Sequence, residues 1–93
     1  MIRSFGDKNT EALFTQGGSR KWHPCICRAA LQKLVLVDSA STLGDLAAIP
    51  SLRLEKLRGT EAALWSIRVN SQWRIIFVWT PEGPEGVELV DYH

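Results

Sequence analysis

Arg68 and Arg74 bracket the stretch Val69-Asn70-Ser71-Gln72-Trp73, and their spacing acquires a chemical meaning once that stretch is read as a hairpin. Trp65, Ile67 and Val69 alternate with Ser66, Arg68 and Asn70, and Trp73, Ile75, Phe77 and Trp79 alternate with Arg74, Ile76, Val78 and Thr80. That is the period of strands with one apolar face. A three-residue loop, Asn70-Ser71-Gln72, pairs Val69 with Trp73 and Ile67 with Ile75 and keeps every large apolar residue on the same side. A two-residue loop would instead mix Arg68 with Ile75. The favoured register sets Arg68 directly across from Arg74, where like charges repel unless something anionic lies between them. Planar guanidinium forks fit phosphate oxygens.

The last strand-like run, "VELVDYH", closes on a carboxylate, a phenol and an imidazole: Asp91, Tyr92 and His93. Groups of these types move protons near neutral pH. Pairing Thr80 with Val87 places Arg74 opposite His93, and a shift of one places it opposite Tyr92. Either register is expected to gather the two arginines, the terminal trio and Glu55 at one end of a sheet, with the guanidinium groups holding an oxyanion and the others exchanging protons with it.

The elements that must position these groups are legible in outline. "MIRSF" alternates as a short first strand. "DKNTEALFTQGG" is a short helix capped by Asp7 or Asn9, with Glu11 in its first turn and Gly17-Gly18 as its stop. Pro24 suits the first turn of a second helix in which Cys27, Ala30, Leu31, Leu34 and Val37 form an apolar stripe. "STLGDLAAIP" carries the Thr42–Asp45 capping-box spacing and stops at Pro50, so it predicts a turn or two of helix. "LRLEKLRG" is expected to be a strand with a bulge around Glu55–Leu57, ended by Gly59, and the turn-rich "PEGPEG" separates the last two strands. The order predicts an α+β fold, a mostly antiparallel sheet with helices laid on one face.

At 93 residues the chain has room for one domain, spanning 1–93, with a single core. Its composition is that of a soluble globular protein, 45% hydrophobic and 23% charged, with no apolar run near the roughly 20 residues that cross a bilayer. "MIRSFGDKNT" lacks the apolar stretch and cleavage site of a secretory signal, which predicts a cytoplasmic protein without disulfides. Cys25 and Cys27 beside His23 do not make a metal clip, because soft-metal sites need more ligands at wider spacings. Net charge is only +1, but all 11 Lys and Arg fall in residues 1–80 against six acids, a balance of +5, while residues 81–93 hold four acids. Sorted in this way, the charge can attract polyanions locally.

"LRLEKLRG", "WSIRVNSQWRIIF" and the closing "VDYH", in that order and spacing, resemble the HigB subfamily of RelE-type toxins, and the likeness covers essentially the whole chain. It is weakest over residues 15 to 28. The resemblance implies the compact RelE-like RNase fold and an activity, metal-independent cutting of messenger RNA during translation on the ribosome, without a cofactor. It implies as partner a HigA-like helix-turn-helix antitoxin, with operator DNA reached only through that complex, and no membrane. Family active-site roles fall on Arg74, Asp91, Tyr92 and His93. Glu55 stands where several members carry His, and Arg58 stands for the family's lysine in the following turn. Arg68, Arg58 and Lys56 would contact RNA phosphates. Two other readings use the same residues: a ribonuclease independent of the ribosome, and a non-catalytic toxin that only binds antitoxin. A gyrase-directed branch of the superfamily lacks this terminal trio.

Overall fold

The computed structural model describes residues 1–57 and 63–91. The first helix, α1 (Lys8–Gln16), starts where Asp7 accepts from Thr10 N and ends at Gly17, whose φ of 81° is left-handed. The second, α2 (Pro24–Ser39), has Pro24 in its first turn, as expected, but its cap is His23, whose Nδ1 accepts from Cys25 N. Cys27, Ala30, Leu34 and Val37 form its buried stripe, whereas Leu31 is only half-buried. A short third helix, α3 (Leu43–Ala47), carries the full capping box: Thr42 accepts from Asp45 N, and the Asp45 carboxylate accepts from Thr42 N. A 3-10 turn, Pro50–Leu52, follows.

The strands are β1 (Glu55–Lys56), β2 (Leu64–Arg68), β3 (Trp73–Thr80) and β4 (Gly83–Asp91), in one antiparallel sheet of order β1-β2-β3-β4. Ile67, Ile75, Phe77, Val87 and Leu89 are buried on the face that α1 and α2 cover, against Leu13, Ala30, Leu34 and Val37. Side chains of this kind contribute roughly 1.5–3 kcal/mol each when fully buried, so this layer holds the sheet rigid. Trp22 meets Trp73 edge to face, 6.4 Å between centroids. The opposite face carries Ser66, Arg68, Arg74 and Ile76, with Ser66 fully buried on it.

Three expectations are corrected. "MIRSF" is not a strand: it makes a single parallel bridge, Phe5 to Val87. Its N–H of Ile2 is diverted to the Asp38 carboxylate and Ser4 Oγ takes Gly86 N, so no regular ladder can run. Among its described residues, "LRLEKLRG" is a strand over Glu55–Lys56 only, because Pro50 starts a 3-10 turn that reaches Leu52 and Arg53 then turns into the left-handed region at φ 47°. The predicted stop at Gly59 lies outside the described residues.

The third correction bears on the site. Thr80 pairs with Gly83, not Val87, through a two-residue turn, and one irregularity between Ile76 and Val78 shifts the ladder so that Arg74 faces Val90 and Trp73 faces Asp91. Thr80 Oγ1 fastens the turn, donating to Gly83 O and accepting from Glu82 N. The proline that argued for a loop is accommodated in the strand. Pro84 O accepts from Arg3 N on the side away from β3, and a strand residue's N–H and C=O point the same way, so the ladder loses no donor there.

Candidate functional site

The hairpin between β2 and β3 takes the register that the apolar pattern dictates. Ile67 pairs with Ile75, and Arg68 with Arg74. Asn70 builds the loop from its own side chain, Oδ1 accepting from both Gln72 N and Trp73 N at 2.8 Å, while Trp73 O receives Val69 N. An Asn at this place supplies the turn with local acceptors and fixes the loop at three residues. The two arginines are therefore held across from each other, about 4.5–5.5 Å apart at Cβ in such a pair.

Glu55 reaches this face from the sheet edge. It pairs with Ser66, and its carboxylate lies 3.2 Å from Arg74 Nη1. Arg74 Nη2 also donates to the carbonyl of Arg53 at 2.8 Å. With Glu55 half-exposed, the ion pair is worth at most about 1 kcal/mol, so its effect is to aim the guanidinium. Arg53, Arg68, Asn70, Ser71 and Arg74 line an open cleft of about 300 Å³, at the small end of the range for ligand sites.

Of the expected site residues, Arg68, Arg74 and Glu55 are thus brought together. Asp91 sits opposite Trp73, one position out of step with Arg74, and its Oδ2 accepts from Gln72 Nε2 at 3.2 Å. Lys56 is exposed and pairs with Trp65, so it leaves β1 on the other side from Glu55. Arg58, Tyr92 and His93 lie outside the described residues. Reading for paired strands missed Arg53. Its signal was in the alternation of "LRLE", where Leu52 and Leu54 oppose Arg53 and Glu55.

The cysteine cluster behaves differently from this cleft. Cys27 is buried and donates to Ser19 O and Trp22 O, each at 3.6 Å, while Cys25 is exposed and accepts from Arg28 Nη2. Among the described residues, no three His, Cys, Asp or Glu side chains converge as metal ligands, and no helix is long and apolar enough to cross a membrane.

The family of RelE-like toxins of the type II toxin–antitoxin system HigB matches residues 3–93. The chain belongs to this HigB family. Among its relatives, Toxin HigB-1 of Vibrio cholerae serotype O1 is 36% identical over 93 residues, which cover 99% of this chain and 94% of that toxin. A HigB-type toxin of a type II system implies an antitoxin partner. In HigB terms, the arginine cleft lies at one end of the sheet of a small α+β domain, on the face that carries Ser66 and Ile76.

Proposed function

We propose that this toxin is an endoribonuclease that cuts messenger RNA while it is being translated on the ribosome. The observation that carries the reading is the Arg68–Arg74 cross-strand pair, two like charges held face to face at the wall of a cleft, an arrangement that gains stability when a phosphate lies between them. RNA supplies its own nucleophile. The protein has to deprotonate the 2′-OH, stabilise the added charge on the phosphorus oxygens, and protonate the departing 5′ oxygen. Arg74, aimed by Glu55 and assisted by Arg68, clamps the phosphate. Glu55, Asp91, Tyr92 and His93 share the acid and base roles, and Arg58 extends the positive field along the RNA, while Lys56, on the other face from Glu55, takes no part in the cleft.

With a net charge of only +1, the protein has little long-range attraction for free RNA, so presentation of the message by the ribosome makes up for weak intrinsic binding. That substrate places the toxin in the cytoplasm. Its antitoxin is a HigA-like helix-turn-helix protein, and operator DNA is reached through that complex. The test is to incubate purified protein with bare mRNA and with the same message on translating ribosomes. Cleavage is expected only in the second tube. Equal cutting in both would sink ribosome dependence and leave a general ribonuclease, and no cutting in either would leave an antitoxin-binding protein without catalysis.

Arg68→Ala separates site from scaffold. Removing one of two facing charges should leave the melting temperature unchanged or slightly higher, while cleavage on translating ribosomes falls roughly tenfold to a hundredfold, the range for a hydrogen bond to a charged group. A marked loss of stability would mean that Arg68 serves the fold, and the argument from cross-strand repulsion would fail.

A further inference from the structure

The cleft has a third arginine, and its backbone is in an unusual state. Arg53 is the only described non-glycine residue with positive φ, at φ 47° and ψ 52°. The left-handed conformation costs an ordinary side chain roughly 1–2 kcal/mol, and glycine is the usual occupant. Two things come from that turn. The Arg53 carbonyl is directed to Arg74 Nη2 at 2.8 Å, and the Arg53 side chain joins Arg68 and Arg74 in lining the cleft. A glycine would give the first without strain but not the second.

The charge around the cleft is also more than one phosphodiester needs. Arg53, Arg68 and Arg74 bring three positive charges, and Glu55, paired with Arg74, offsets one. Neither Arg53 nor Arg68 makes an ion pair among the described residues. The remaining balance is the charge of two phosphodiesters. A side chain kept at a glycine-favouring position, with its guanidinium left for a ligand, is better explained by that ligand than by the fold.

The geometry points to Arg53 as a second-phosphate binding residue: Arg68 and Arg74 hold one phosphodiester, and Arg53 holds the next along the strand. The ligand class is then single-stranded RNA presenting consecutive phosphates, and mononucleotides or phosphate monoesters are poor ligands. This assignment rests on reading the cleft as the RNA site.

The test uses the full chain and 2′-O-methyl oligonucleotides, which cannot supply the nucleophile: a dinucleotide with one internal phosphate and a trinucleotide with two, titrated by NMR at several salt concentrations. The parent should bind the trinucleotide about five- to tenfold more tightly than the dinucleotide. Arg53→Gly keeps the left-handed turn and the carbonyl to Arg74, so it should melt at or above the parent temperature. It should also lose the preference for the trinucleotide and lower the salt dependence of trinucleotide binding by about 0.7 in log–log slope, the value for one phosphate contact on a single strand. Arg53→Lys should recover part of both. If Arg53→Gly binds both ligands as the parent does, or if the parent itself does not distinguish them, the second-phosphate role is wrong while the RNA cleft stands. If the parent binds neither oligonucleotide even at low salt, the reading of the cleft as an RNA site fails together with it.

Discussion

Replacing Arg74 with Lys should abolish nearly all cleavage, by about a hundredfold to a thousandfold, while leaving the melting temperature close to that of the parent. The magnitude is that of removing one preorganised donor from the position where transition-state charge develops. Lysine keeps the charge but not the fork: it offers a point charge where guanidinium presents parallel donors. In this cleft the fork is shared. One terminal nitrogen of Arg74 lies 3.2 Å from the Glu55 carboxylate and the other bonds the Arg53 carbonyl, so both ends are already oriented before substrate arrives and little reorganisation is left to do. An ammonium at that place can satisfy one of the two anchors. Glu55→Gln should act differently. It removes the charge that aims Arg74 and a candidate base, so activity falls, yet an amide can still accept from the guanidinium, so binding of uncleavable oligonucleotides should persist. Cleavage on translating ribosomes and oligonucleotide titration measure the two effects. An Arg74→Lys protein that folds and cuts as fast as the parent would remove this arginine from the mechanism.

Why Arg74 was visible in the sequence, and its surroundings only partly so, follows from where local rules are strong. The β2–β3 register was legible because a one-residue slip would have turned Ile67, Ile75 and Phe77 out of a core in which all three are fully buried. The helices were legible for a similar reason: Asp7, Pro24 and the Thr42–Asp45 pair each satisfy orphan N–H groups or suit a first turn. The β3–β4 register was not. Glycine and proline at Gly83, Pro84 and Gly86 mark turns in general, and here the chain uses only Pro81 and Glu82 as the turn and takes the rest into the strand. The expectation that Arg74 would face Tyr92 or His93 failed by that difference together with the one-residue shift between Ile76 and Val78, which sets Arg74 opposite Val90. Arg53 was hidden for another reason: its role depends on a left-handed turn in a segment whose alternation reads as continuous strand.

That β3–β4 hairpin predicts the largest effect on stability. Gly83 has φ 127°, and a Cβ built on it would lie 2.5 Å from the Met1 carbonyl oxygen. The obstacle is backbone, and it is not free to retreat. The neighbouring Ile2 N–H bonds Asp38 Oδ1 at 2.8 Å and Arg3 N–H bonds Pro84 O at 2.8 Å, so moving Met1 pulls on α2 and on β4 together. Gly83→Ala therefore faces a conformation that only glycine adopts at low cost, about 1–3 kcal/mol, and the loss of one or two hydrogen bonds at roughly 1 kcal/mol each. The sum is on the order of 2–5 kcal/mol, and for a domain this small each kcal/mol lowers the melting temperature by roughly 4–8 °C. Gly17→Ala is the control: its φ of 81° is also left-handed, but nothing lies within 4 Å of the added carbon, so only the conformational cost of about 1 kcal/mol applies. Thermal denaturation of the two variants beside the parent decides the matter. Equal melting temperatures for Gly83→Ala and Gly17→Ala would mean that the close approach of Met1 does not anchor the turn. A much lower one for Gly83→Ala would tie the amino-terminal segment to the strand that carries Val90 and Asp91 into place beside Arg74 and Trp73, and so make the docking of Met1–Arg3 a condition for assembling the site.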